Sequence, residues 1–264
     1  MKYVAITGAY GGMGYKTVKE MVKKGYTVFA LDKVVKDKEE NVIPVEVDIT
    51  NIENVKLALK KIQSITNDLC AIIHFAGVYM LDSLIEIPEE KFERIFKVNF
   101  FGVFYVNKIF MPLLKNGSKV IMVTSELAPL NPLPFTGLYA ITKSTLDKYA
   151  YSLRMELQLL GISVSVIRAG AVSTDMLSVS TNALDNFCEN TNIYQCNALR
   201  FKKIVNSVES KCVPATKIAL KVRKILNIKK PKFNYNINRN KLLLLLNILP
   251  KKFQFWIIKK ILQK

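Results

Sequence analysis

Short apolar runs alternate with amphipathic stretches through the first two-thirds of the chain. Lys2–Thr7, Tyr26–Asp32, Val42–Val47, Leu69–Phe75, Lys119–Thr124 and Ile162–Arg168 are aliphatic or β-branched with few polar breaks. That is the pattern of strands buried on both faces. Between them, apolar positions recur at helical spacing over Gly12–Lys24, about Asn51–Ile65, Glu89–Leu114 and about Phe135–Leu160. Gly25 and Gly161 follow two of these segments, where a helix C-terminus favours glycine. Strands of this kind separated by helices predict an α/β fold with a doubly wound parallel sheet.

After Gly170 the pattern blurs. Residues 172–213 are polar and irregular with weak helical stretches, and the spacing predicts a loop over the substrate there. Pro214 predicts a helix starting with proline at its first position and running to about Leu226, and Lys232–Tyr235 predicts a last strand. The chain then reads as one domain over 1–240 followed by a basic amphipathic extension over 241–264. Leu242–Leu246 and Ile248-Leu249 form an apolar run stopped by Pro250, well short of the ~20 residues that a spanning helix needs. Lys251–Lys264 interleaves lysines with Phe253, Phe255, Trp256, Ile257, Ile258, Ile261 and Leu262, a basic amphipathic helix.

Composition, the N-terminal residues and charge sharpen the picture. Half of the 264 residues are apolar, enough for a sizeable single core. Four cysteines without close pairing and a single histidine, His74, predict reduced thiols and no metal site. Met1-Lys2 leads straight into the first strand, so a cytoplasmic location is expected. The net charge of +18 is concentrated late: Arg200 to Lys264 holds 18 lysines and arginines against one acid, Glu209. Such asymmetry predicts an anionic partner. No nucleic-acid module is recognisable, so none is expected as a partner. Two readings of the extension stay open: peripheral binding to an anionic membrane surface through 241–264, or packing on the protein or a partner subunit.

The candidate chemistry lies at the ends of the strands. Thr7-Gly8-Ala9-Tyr10-Gly11-Gly12-Met13-Gly14 joins the first strand to the first helix. Glycines there let the backbone approach a pyrophosphate, and the helix start offers free N–H groups and a positive dipole end. This is the phosphate-binding turn of a Rossmann fold. Asp32 closes the second strand, where a carboxylate accepts the adenosine ribose hydroxyls and repels a 2′-phosphate. NAD is favoured over NADP, although Lys33 next door partly offsets this. Asp48, closing the third strand, either binds the adenine edge or caps the next helix. Tyr139 and Lys143, four apart, share one helix face, with Ser125 upstream at a strand end.

Together these residues resemble the short-chain dehydrogenase/reductase family over about residues 1–230. Its TGxxxGxG turn is Thr7–Gly14, its helix asparagine is Asn99, its serine is Ser125, its YxxxK is Tyr139 and Lys143, and its PGxVxT segment is Ala169–Thr174. The chain departs from the family at His74-Phe75-Ala76-Gly77, where NNAG is usual, at Ala169 in place of proline, and in a Ser125–Tyr139 spacing one residue longer than in many members. The resemblance implies a cofactor site from Gly8, Tyr10, Gly11, Gly12, Met13, Gly14, Asp32, Asp48, Ile49, Ala76, Gly77, Tyr139, Lys143, Gly170, Val172 and Thr174. It implies Tyr139 as general acid/base, Lys143 on the nicotinamide ribose, Ser125 on the substrate oxygen and Asn99 holding a relay water. Lys143 and the nicotinamide charge are expected to lower the Tyr139 pKa from its ordinary ~10.

The expected reaction is hydride transfer between a nicotinamide cofactor and a hydrophobic secondary alcohol or ketone, steroid-, retinoid- or lipid-like. Ser125, Leu127, Phe135, Tyr139 and Met176 are the expected substrate contacts, with Leu130, Leu133, Leu177 and Leu184 nearby, and no arginine cluster for an anionic group stands out. Two alternatives are an NADPH-dependent 3-oxoacyl thioester reductase and a non-catalytic redox sensor at a membrane surface. The long helices at 89–114 and 135–160 predict a homodimer or homotetramer.

Overall fold

The computed structural model describes residues 2–36, 39–208 and 212–263. Strand β1 (Lys2–Thr7) leads through the glycine turn into α1 (Gly12–Lys23), and β2 (Tyr26–Asp32) returns beside β1. Gly25 takes φ +78° between them, the left-handed geometry that glycine tolerates. Next come β3 (Val42–Glu46), α2 (Ile52–Gln63) and β4 (Leu69–His74). Asn51 caps α2, accepting from the N–H groups of Glu53 and Asn54.

The single helix expected over 89–114 is instead α3 (Glu89–Phe96), one π-helical turn (Lys97–Phe101) and α4 (Gly102–Phe110), closed by a 3₁₀ turn (Met111–Leu113). Pro112, inside that last turn, stops the helix. Strand β5 (Leu114–Ser125) therefore begins five residues before the expected Lys119. Helix α5 (Gly137–Leu157) starts after Phe135, whose φ of +65° excludes it from a helix. Then follow β6 (Ser163–Ala169), β7 (Val172–Ser173), α6 (Asp175–Asn190), α7 (Gln195–Val208) and β8 (Val213–Pro214). Residues 172–213 are thus largely helical rather than irregular, and residues 209–211 of that segment lie outside the described ones. Pro214 pairs with Ser173 and is the N-cap of α8 (Ala215–Asn227), not its first helical residue. Strand β9 (Asn234–Ile237) lies two residues beyond the expected Lys232–Tyr235. Helices α9 (Lys241–Ile248) and α10 (Lys251–Leu262) end the chain.

The main sheet is parallel in every pairing, in the order β3-β2-β1-β4-β5-β6-β9. The order reverses between β1 and β4, so a crevice opens above their C-terminal ends. Side chains alternate between two cores. Phe29, Leu31, Ile72 and Val120 pack under α2, α4 and α5. Val4, Ile6, Ala30 and Ile73 pack against α1 and α8. A third, smaller cluster joins Phe135, Phe187, Phe201 and Leu262, tying α10 to α6 and α7.

Candidate active site

The glycine turn is held by contacts that only glycine permits. Gly8 has φ +64°, and a Cβ there would stand 2.6 Å from the amide nitrogen of Ala76. A Cβ on Gly14 would fall 1.9 Å from the Gly8 carbonyl oxygen, and one on Gly12 would fall 2.7 Å from the Thr174 Cβ. Helix α1 begins without a side-chain cap and without an acid in its first turn, so its N–H groups and dipole face the crevice uncompensated. Gly11, Met13, Ala76, Gly77 and Ile49 line this cavity, whose volume is about 790 Å³. A pyrophosphate fits such a backbone cradle.

Asp32 stands at its far end. Its carboxylate accepts from the backbone N–H of Tyr10 at 3.0 Å and of Lys33 at 2.8 Å. The Lys33 ammonium turns away to Asp48, at 2.8 Å. Burial pushes the Asp48 carboxyl up, but Lys33 and the Thr50 hydroxyl and amide outweigh it and hold the group below its ordinary value. Asp48 caps its own turn as well, accepting from Thr50 N at 2.9 Å and Oγ1 at 2.7 Å.

A second cavity of about 660 Å³ adjoins the first, and Met13, Tyr79, Thr174 and Met176 line both. Ser125 and Tyr139 lie in its polar wall with Glu126, Arg239 and Lys241, and Leu127, Leu133, Leu184 and Met176 in its apolar one. Gly170 and Val172, expected against the cofactor, line this second cavity rather than the crevice. Phe135, expected to touch substrate, does not line it: its buried ring is 4.7 Å from that of Phe187 and 5.5 Å from that of Phe201, so it props the cavity from behind. The side chain of Leu177 lies outside the described residues.

The register of β5 and the pitch of α5 bring the polar groups together. Ser125 ends β5 opposite Ala169, and its Oγ accepts from the Leu127 N–H at 3.2 Å. Lys143 lies one turn beyond Tyr139, is 6 % exposed, and places its Nζ 5.6 Å from the Tyr139 ring centroid and 3.4 Å from the Val123 carbonyl. Burial pulls the Lys143 ammonium down to about 8. Burial also pushes the Tyr139 phenol up to about 12, against the smaller opposing pull of Ser125. In these surroundings desolvation outweighs the Ser125 hydrogen bond and keeps the phenol above its ordinary value, whereas the expected lowering drew on the nicotinamide charge as well.

Asn99 sits in the π-turn, fully buried. Its Oδ1 accepts from Val78 N at 2.8 Å, while its Nδ2 donates to Val78 O at 3.0 Å and Thr142 Oγ1 at 3.1 Å. The side chain thus fastens the loop after β4 to α5. A Cβ on Gly77 would stand 3.2 Å from Asn99 Oδ1 and 3.4 Å from Lys143 Nζ, so this glycine lets the three segments converge.

Four side chains carry no local sequence signal. Glu126, raised by burial, accepts from the Asn240 N–H at 2.6 Å and so ties α9 to the loop after Ser125. Arg239 lines the second cavity, and its buried Nε has no hydrogen-bond partner. Arg168 and Asp147 form a bidentate pair, 2.7 and 3.0 Å, that fixes α5 on β6. The chain pairing of Asn240–Leu243 with the cavity wall is likewise visible only in three dimensions.

Comparison with known proteins agrees with this geometry. The short chain dehydrogenase family model matches residues 2–185. Estradiol 17-beta-dehydrogenase 2 of Mus musculus is 34% identical over 187 residues, which are 66% of this chain and 49% of that protein. The chain thus spans about half the length of that curated relative. The 3-ketodihydrosphingosine reductase of Bacteroides thetaiotaomicron is 25% identical over 271 residues, covering 98% of this chain and 94% of its own. A solved short-chain dehydrogenase from Streptomyces avermitilis superposes with a TM-score of 0.77 at 17% identity, over 98% of this chain and 93% of that one, a likeness of fold.

Proposed function

We propose, for a chain that belongs to the short-chain dehydrogenase family and is an NAD(P)-dependent oxidoreductase, that it reduces a hydrophobic ketone, or oxidises the matching secondary alcohol, with NAD as the preferred cofactor. One observation carries the reading: Ser125 and Tyr139 stand in the wall of an apolar cavity that opens into the dinucleotide crevice. A nicotinamide held in the crevice would supply or take the hydride. The chain supplies the rest. Gly8, Gly12 and Gly14 would hold the phosphates, and Asp32 the adenosine ribose. Ser125 orients the substrate oxygen by a hydrogen bond. Tyr139, protonated at neutral pH in these surroundings, donates its proton to the carbonyl oxygen as the hydride reaches the carbon. In the reverse direction its phenolate takes the alcohol proton, and the Lys143 ammonium beside the ring stabilises that anion.

A steroid-, retinoid- or lipid-like substrate is supported by the leucine and methionine lining and by the names of two relatives, an estradiol dehydrogenase and a ketodihydrosphingosine reductase. A homodimer or homotetramer belongs to the same reading, supported by the exposed Phe101 of the π-turn, Tyr151 and Met155 on α5, and Leu159 just beyond it.

The test is fluorescence titration with NADH and NADPH, followed by turnover on a panel of hydrophobic ketones and alcohols that includes a 3-oxoacyl thioester. NADH-preferring binding with turnover of hydrophobic ketones is expected. Tyr139→Phe is expected to lose roughly a hundredfold or more in turnover, the usual weight of a positioned proton donor, with NADH binding kept. Unchanged turnover in that variant, or no binding of either cofactor, would overturn the reading.

A further inference from the structure

Helix α10 has a fixed orientation. Its inward side is anchored by Gln254, which is buried, donates to Leu249 O at 2.7 Å and accepts from Asn131 Nδ2 at 3.0 Å. Leu262 and Ile258 join the cluster around Phe201, and Asn197 donates to the Leu262 carbonyl at 2.7 Å. The opposite side and flank carry Phe253, Phe255 at 68 % exposure and Trp256 at 60 %, beside exposed Lys252, Lys259 and Lys260. Helix α9 adds Leu242, Leu245 and Ile248, the last 79 % exposed, spaced three apart along one side. So one side of the extension packs on the protein, and the other presents large apolar side chains to solvent.

We propose that α9 and α10 form a docking surface for an anionic lipid bilayer, and that docking sets the mouth of the substrate cavity against the lipid. Three observations converge on that occupant. First, aromatic rings interleaved with lysines suit the interface of a bilayer, where rings enter the acyl boundary and ammonium groups stay among the headgroups. Second, the charge is complementary to anionic lipid: no acid follows Glu209 in the sequence, while Lys241, Lys251, Lys252, Lys259 and Lys260 lie in the two helices. Third, the surface is continuous with the active site. Asn240, Lys241, Leu242 and Leu243 at the start of α9 line the same cavity as Ser125 and Tyr139. Glu126 holds that start in place through the Asn240 N–H. A lipid-soluble ketone entering beside α9 would reach Tyr139 without crossing bulk water. Among the described residues no helix is long and apolar enough to cross a membrane, so the contact is interfacial. The docking stands by itself; the delivery of substrate rests on the proposed reductase reading.

The experiment is flotation of the full chain with vesicles of phosphatidylcholine alone and with added phosphatidylglycerol, paired with NADH titration and sedimentation. Flotation with the anionic vesicles, and its loss at high salt, is the expected result. Lys259→Gln with Lys260→Gln should weaken vesicle partitioning roughly thirtyfold, each lysine at an anionic surface being worth about fivefold. Phe253→Ser, Phe255→Ser and Trp256→Ser together should abolish flotation while NADH binding stays as in the parent. The triple variant should also lose turnover of a vesicle-embedded ketone and keep turnover of a short soluble one. Absent flotation on anionic vesicles, or flotation indifferent to the triple variant, would overturn the docking. Retention on RNA but not on vesicles, or a triple variant that merely converts a dimer to a monomer, would overturn it in favour of another occupant. Flotation without turnover of any ketone would strike the reductase reading and the delivery role, leaving the docking.

Discussion

The ammonium of Lys33 lies 2.8 Å from the carboxylate of Asp48, one strand away from Asp32. This contact bears on cofactor choice. A free lysine beside Asp32 would soften repulsion of a 2′-phosphate; a lysine drawn to Asp48 leaves the carboxylate of Asp32 to act unopposed. NADH is therefore expected to bind more tightly than NADPH. Asp48→Asn should release Lys33 and narrow the gap by roughly tenfold, the factor that corresponds to about 1.4 kcal/mol. Asp32→Ser should narrow it further. Dissociation constants for both cofactors across the three proteins test this, and a parent that prefers NADPH refutes it.

Lys143 governs the pH dependence of ketone reduction. Desolvation brings its ammonium down to about 8, whereas the Tyr139 phenol stands at about 12. Near neutrality both groups carry their protons, which is the state that donates. As pH rises through about 8, Lys143 loses its charge first, and kcat/KM for reduction should fall by about tenfold per pH unit above that point. A limb displaced to pH 10 or above would take Lys143 out of the proton path and leave Tyr139 to set it.

The sheet and the glycine turn were legible in the chain because each has a local cause. Buried parallel strands write themselves as aliphatic runs, and Gly8 and Gly14 stand where a Cβ meets the backbone of Ala76 or of Gly8 itself. What the sequence hid is either a break without a marker or a contact between distant segments. Neither proline nor glycine falls within the π-turn around Asn99, so the helix read as continuous. Lys115-Asn116-Gly117-Ser118 reads as a polar turn, yet Ser118 donates to the Leu69 carbonyl at 2.8 Å and draws the stretch into β5. At the site, Ser125, Tyr139 and Lys143 were legible as types at a spacing. The raised Tyr139 pKa was not, because burial is a property of what packs around the ring. The clasp of Glu126 on Asn240 spans 114 positions, beyond any local pattern.

Arg168 and Asp147 are expected to carry the seating of the site. Their side chains are 14 % and 9 % exposed, their contact is bidentate, and Thr124 Oγ1 adds a hydrogen bond to the same carboxylate at 3.3 Å. Removing one partner leaves the other charge buried and unpaired, at a cost of roughly 3–5 kcal/mol. Arg168→Met alone should therefore lower the free energy of unfolding in urea by about that amount. Arg168→Met with Asp147→Leu should recover much of the loss, since replacing both partners leaves no orphaned charge. Equal losses in the single and double variants would show that packing, and not pairing, is what the site draws from these residues.

His74 is expected to make the fold acid-sensitive before most carboxylates titrate. Its ring is buried: Nε2 lies 2.9 Å from Asn107 Oδ1 and donates to it, leaving Nδ1 to accept from the Thr7 hydroxyl at 3.5 Å. A second proton would have to sit on Nδ1 inside the core, and burial lowers the group from 6.5 to about 4, the Asn107 bond opposing only in part. Between those values the unfolded chain binds a proton that the folded chain refuses. Stability is thus complete above pH 6.5 and is lost as pH falls toward 4, by roughly 3 kcal/mol in all. Glu126 and Asp82, both raised by burial, act in the opposite sense, because the folded chain takes up their protons first. Asp48, held low by Lys33 and Thr50, acts in the same sense as the histidine, so the parent curve alone does not isolate it. The difference between parent and His74→Gln isolates it: the glutamine keeps a donor for Asn107 but has no titrating ring. Unfolding free energies from urea melts at intervals from pH 7 to 4.5 should converge between the two proteins as the pH falls. Parallel curves would show that His74 takes its second proton in the folded state as readily as in the unfolded one.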